Sequence, residues 1–266
     1  MTEESGESIA FLPASFAENC SEGPFIVIVR EREEFSRWLG DAPPGVEGLE
    51  VHGLVGDSEA WGLAAQGRVP LPLDVVLDDP RAEFSALYRL VDVSIARPVR
   101  ITMPARPGFM KALRLAAALR IPVRLLPGQP DEEALAGLME AAQFYLHDAM
   151  VEAPVEFFHS VLASFRGLGS GTLWTFLEQD PAIFSRRDAT GGVLQAPDFV
   201  ETHLDRLLSN GAECGPCVWR RTCAGYFKWP DPNYDCAGVK QLFAILQSAA
   251  DEITLDLAGG EIPSPP

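Results

Sequence analysis

Short, unbroken apolar runs alternate with helix-spaced ones through the first half of this chain. Phe25-Ile-Val-Ile-Val29 is brief, continuous and β-branched, the pattern of a strand buried on both faces. Glu33 to Leu39 then predicts a short helix, and further strand-like runs recur at Leu49 to Val55, Leu73 to Leu77, Val99 to Met103 and Val123 to Leu126. Between some of them, Phe84 to Val91 and Phe109 to Leu119 set Leu, Phe and Tyr at helical spacing, punctuated by Arg106-Pro-Gly and Arg120-Ile-Pro. Strands alternating with helices predict an α/β fold whose parallel sheet is either open or curved into part of a (β/α) barrel.

The pattern turns mostly helical after Asp131. Acidic first-turn residues and the stripe Leu135, Leu138, Met139, Ala142, Leu146 predict one long helix. Pro154 opens a second, Val155 to Phe165, and a third spans Thr172 to Gln179 after the glycines at 167, 169 and 171. Phe184 to Gln195 predicts a hairpin around Gly191-Gly192. Asp198 with Glu201 has the spacing of a capping box for a helix that stops at Asn210-Gly211. A final helix puts Val239, Leu242, Phe243, Leu246 and Ile253 on one face. The expected units are an acidic leader (1–24), an α/β domain (25–150), a helical segment (151–258) holding a cysteine module at 211–250, and a flexible tail (259–266).

At 266 residues and 47% apolar, the chain is long enough for one large core or two modest ones. A net charge of -17 argues against a grip on nucleic-acid phosphates, which needs clustered Lys and Arg, and favours a protein, peptide or cofactor as partner. The start lacks the basic and apolar regions of a secretion signal, and no apolar run approaches the roughly 20 residues that span a bilayer. No membrane partner is expected, and the reducing cytoplasm is the expected location.

Candidate chemistry concentrates in one place. Cys214, Cys217, Cys223 and Cys236 follow the spacing C-x2-C-x5-C-x12-C, and the only other cysteine is Cys20, in the leader. Thiols gathered this way in a chain with no secretory signal point to a metal centre, either tetrahedral zinc or a 4Fe-4S cubane. Zinc ribbons build two C-x2-C knuckles and only one is present, which favours the cluster. Trp219, Tyr226, Phe227 and Trp229 are candidates to screen it from water, while Arg220, Arg221 and Lys228 are candidates to offset its charge. Read singly, those aromatics are local core and those cations a solvated edge.

The spacing resembles the SPASM domain, the auxiliary-cluster domain of radical-SAM enzymes that modify peptides and proteins. Cys214, Cys217 and Cys223 match that family's opening run and Cys236 its later cysteine; these four positions then imply one auxiliary 4Fe-4S cluster. Phe227 stands where the family places a ligand of its other auxiliary cluster, and the upstream cysteine pair is absent. The C-x3-C-x2-C triplet that binds S-adenosylmethionine is also absent, so the resemblance implies an accessory subunit acting beside a separate radical-SAM chain. No catalytic residue is assigned.

Other signals are weaker. Cys214-Gly-Pro-Cys217 also spells a thioredoxin-like dithiol, but Glu213 and a helix terminus precede it where a strand should. His52, His147, His159 and His203 are scattered and carry no motif. The alternative function is a structural zinc protein that recognises a peptide or protein. A third is a self-sufficient enzyme whose site lies at the strand ends around Met103-Pro-Ala-Arg106 and Leu126-Pro-Gly128.

Overall fold

The computed structural model describes residues 8–20, 23–66 and 70–259; the expected tail beyond Gly259 and the first seven residues of the leader lie outside them. Eight strands, β1 (Ile9–Pro13), β2 (Phe25–Val29), β3 (Val46–His52), β4 (Leu73–Val76), β5 (Val99–Pro104), β6 (Val123–Leu126), β7 (Val155–Glu156) and β8 (Phe184–Arg186), form one sheet. Every pairing is parallel, in the order β7-β6-β5-β4-β3-β2-β1-β8. Strands 1 to 7 therefore lie in chain order and β8 joins beside β1. That is the cyclic order of an eight-stranded barrel, opened between β7 and β8. The fold is α/β with a partial barrel, followed by a mostly helical carboxy-terminal region.

One sheet spans the expected boundary at residue 150. β1 comes from the acidic leader, and β7 and β8 from the segment expected to be helical. β7 is only two residues long, and the helix expected from Val155 starts at Phe158. β8 reads Phe-Ser-Arg, with no apolar run to mark it, and pairs with β1; the expected hairpin is reduced to one antiparallel bridge between Arg187 and Val193. Asp198 adopts φ -85° and ψ 9° and caps no backbone amide, so the expected capping box does not form. Its carboxylate instead accepts from the Thr202 hydroxyl at 3.4 Å.

Period-2 alternation sorts the strand residues onto two faces. Leu49, Val51, Leu73, Val75, Ile101, Met103, Val123 and Leu125 are buried against the helices, among them Phe109–Ala118, which contributes Phe109, Ala112, Leu113 and Ala116. The intervening positions carry most of the strands' charged and polar side chains. Glu50, Asp74 and Arg100 are paired in register across β3, β4 and β5, and Thr102 and Arg124 across β5 and β6.

Arg124, 2% exposed, is the hub of that inner face. Its Nε donates to Thr102 Oγ1 at 3.0 Å, and its two terminal nitrogens pair with Asp74 and Glu178. Arg100 clamps Glu178 through both oxygens, at 2.6 and 2.9 Å, and reaches Asp74 at 2.7 Å. Arg186 of β8 clamps Glu50 at 2.9 and 2.7 Å and lies over the Phe11 ring, 4.0 Å from its centroid. Three arginines thus meet three carboxylates. Glu178, from the segment between β7 and β8, ties β5 and β6 together from inside.

Among the described residues, no helix is long and apolar enough to cross a membrane.

Removing one member of this network strands its partners. Arg124→Met leaves Asp74 and Glu178 short of a buried cation and is expected to cost about 3–5 kcal/mol, read from the urea midpoint. The network also sets an acid limit. Burial pushes the Glu50 carboxyl up, but hydrogen bonds from Arg186 and His52 hold it well below the ordinary value of 4.5. Glu178 is likewise lowered, burial being outweighed by the charge of Arg124 and hydrogen bonds from Arg100. A lowered folded value contributes stability that is full above the ordinary carboxylate range and lost as pH falls. Stability should therefore decline from about pH 4.5 downward, and Glu50→Gln should flatten that slope in denaturation curves recorded across the acid range.

Candidate metal centre

The helix Phe199–Ser209 ends at Asn210, and Gly211, at φ 71°, turns the chain toward Cys214. The Cys217 amide donates to the Cys214 carbonyl at 3.3 Å, a tight turn that brings the two thiols to one side. A single helical turn, Arg220–Cys223, then delivers the third thiol. Cys236 directly precedes the long helix Ala237–Gly259, as expected from the sequence.

The turn after Cys223 is the most specific feature. Ala224 and Gly225 are both left-handed, at φ 47° and 75°. Two such residues in succession form a concave nest of amides, and those of Gly225, Tyr226 and Phe227 favour the Cys223 thiolate. Gly225 is required twice over, because a Cβ there would stand 2.8 Å from Leu207. His203, 2% exposed, donates from Nε2 to the Gly225 carbonyl at 3.2 Å and so fixes the turn from behind. Its role is positional.

All four predicted cysteines line one pocket, and none is in a disulfide. Phe227, Val239 and Phe243 supply its apolar wall. Arg220, Lys228 and Lys240 bring three cations to it, against the single carboxylate of Glu213. Lys228 is buried; its amine is 2.8 Å from Glu213 Oε1 and also donates to the Tyr234 carbonyl. Lys240 pairs with the other Glu213 oxygen, and the Cys236 amide donates to Oε1 at 3.2 Å. Hydrogen bonds from Lys228 and Lys240 pull the Glu213 carboxyl down to about 2. The surplus of positive charge favours thiolates.

The other predicted environment residues divide. Trp219 stacks on Phe243, 5.9 Å between centroids, behind the pocket. Arg221 is exposed and lines no part of it. Tyr226 and Trp229 face away, into a cavity at the barrel mouth. Glu213 and Lys240 escaped the sequence reading, although Lys240 sits four residues after Cys236, the spacing that shares a helix face.

Among the described residues, no group of three or more His, Cys, Asp or Glu side chains is arranged to hold a single metal ion. The pocket that the thiols line has a volume of about 20 Å³, little more than one water occupies. A tetrahedral ion needs four sulfurs about 2.3 Å from one point, and a cubane spreads them around a larger body. Either centre thus requires the thiol side chains to turn. The donor set itself fits an anionic, sulfur-ligated group.

The mouth cavity, about 450 Å³, lies at the carboxy-terminal ends of β5 and β6, where sequence analysis placed its third reading. Its floor is the loops carrying Arg106 and Gly128, and its wall includes Tyr226 and Trp229 of the cysteine module. The module is fastened there by Gln129, whose Nε2 donates to the carbonyls of Phe227 and Asp231 at 3.0 and 2.7 Å. The Tyr234 hydroxyl donates to the Pro130 carbonyl at 2.8 Å.

Comparison of the chain with protein-family models, with curated proteins and with solved structures finds no match.

Burial pushes the Cys223 thiol up to about 11 against its three amides, and the Cys236 thiol up to about 12 despite Lys228. Only thiolate is alkylated. In metal-free protein, iodoacetamide should therefore modify both residues slowly at neutral pH and faster with each step into alkali. Peptide mass mapping over time measures this, and rapid neutral-pH labelling of either would contradict the burial described.

Proposed function

We propose that Cys214, Cys217, Cys223 and Cys236 hold one 4Fe-4S cluster, and that the chain is an accessory iron-sulfur protein of a peptide- or protein-modifying system in the cytoplasm. Its partner is a separate chain, a radical-SAM enzyme by the resemblance of the cysteine spacing. The observation that carries this reading is the convergence of four thiols on one pocket with a net positive rim, beside a turn whose amides favour the Cys223 thiolate. Amides and cations at sulfur are what stabilise a buried anionic cluster and set its potential.

Four protein ligands leave no iron position open to substrate. The cluster, when bound, supplies a one-electron store rather than a Lewis acid. The chain's own residues do the rest: Gly225, Tyr226 and Phe227 donate to sulfur, Lys228 and Lys240 offset charge, and Phe227 with Phe243 excludes water. The role that follows is electron relay or substrate holding, and the mouth cavity beside the module supports the second.

A structural zinc site in a peptide- or protein-recognising module is the alternative, a smaller centre for the small pocket that the thiols line. Anaerobic purification separates the two. The cluster reading expects a brown protein with about four irons and four acid-labile sulfides per chain, both lost in Cys223→Ala. A colourless protein with one zinc per chain would establish the alternative. Full activity in the native reaction without a second chain would remove the accessory role.

A further inference from the structure

The cavity at the barrel mouth carries a reading that does not depend on which metal the thiols hold. Three aromatic rings wall it: Trp174, Tyr226 and Trp229. Two have their polar atoms already engaged. Trp174 Nε1 donates to the Ala224 carbonyl at 3.0 Å, and the Tyr226 hydroxyl donates to Gln179 Oε1 at 3.0 Å, with the rings 4.8 Å apart edge to face. Rings locked this way offer an occupant faces and edges rather than donors. Trp229, 38% exposed, stands at the rim. At about 450 Å³ the cavity is in the size range of small-molecule sites.

Two polar groups lining it are uncommitted. The amide nitrogen of Gln179 and the guanidinium of Arg106 make no side-chain hydrogen bond or ion pair among the described residues. An uncommitted arginine is notable in a chain of net charge -17. The one carboxylate lining the cavity, Asp131, accepts the Ala134 amide at 2.8 Å and makes no ion pair with Arg106. The helix Phe109–Ala118 opens from the loop that carries Arg106 and has no acidic residue in its first turn, so its dipole adds to the guanidinium charge. Aromatic walls and one guanidinium with no side-chain partner among the described residues define a complementary ligand.

We propose that this cavity binds a small aromatic carboxylate, its ring among Trp174, Tyr226 and Trp229 and its carboxylate on Arg106. The same chemistry is presented by a free aromatic acid and by the aromatic carboxy-terminal residue of a peptide. Calorimetry on the full chain distinguishes them, with indole-3-acetate, indole-3-acetamide, a tripeptide ending in tryptophan, and that tripeptide's carboxy-terminal amide as probes. Each acid should bind about tenfold more tightly than its amide, the size of a charge-assisted hydrogen bond. Arg106→Gln, at an exposed position, should erase that difference without moving the melting temperature, and Trp229→Ala should weaken acid and amide alike. Binding of indole-3-acetate alone assigns a free acid; binding of both acids assigns a site open to chain ends. Failure of both acids to bind, or an acid-to-amide ratio unchanged in Arg106→Gln, overturns the proposal. Iron, sulfide and zinc are assayed separately, so its failure and that of the cluster reading are told apart.

Discussion

The buried guanidinium of Arg124 is the constraint on which the barrel's inner face is organised. A closed (β/α) barrel fills its interior with layers of branched apolar side chains. Here the inner face carries Glu50, Asp74, Arg100, Thr102 and Arg124, and a filling of that kind is stable only when every charge has its partner. Strands β3 to β6 supply four of the six charges, β8 supplies Arg186, and Glu178 enters from the connection between β7 and β8. Any arrangement that leaves one member alone in the interior is heavily penalised, so the network fixes where the last connection must lie although β7 and β8 do not pair.

Fixing that connection positions what stands above it. Trp174 and Gln179 flank Glu178, and both bond the turn after Cys223, through the Ala224 carbonyl and the Tyr226 hydroxyl. Gln129 and Tyr234 fasten the module to the β6 loop from the other side. The last helix then lies close against Glu132–His147, where a Cβ at Gly238 would run into Leu135. The residues around Tyr226 therefore serve two sites at once. Their backbone amides address a sulfur, and their side chains wall the mouth cavity.

How much of this was legible in the sequence follows from range. Runs such as Phe25–Val29 and Val123–Leu126, and the stripe on Glu132–His147, announce themselves because each is fixed by local periodicity. β1 is masked by its acidic surroundings, and β7 and β8 are too short to carry a period; their strand character comes from the neighbours they pair with. The four cysteines were legible as a set through spacing alone. Glu213 and Lys240 were not, because an ion pair 27 positions apart leaves no local pattern.

The sequence by itself determined an alternating α/β chain, a helical second half and one quartet of thiols, since apolar period and cysteine spacing are properties of neighbouring residues. Only the tertiary structure decided that the strands curl into an opened barrel with a charged interior, and that Tyr226 and Trp229 turn from the thiols to the mouth. Those outcomes depend on which distant charges can be neutralised together, and on two successive left-handed residues whose direction is set by the walls they meet.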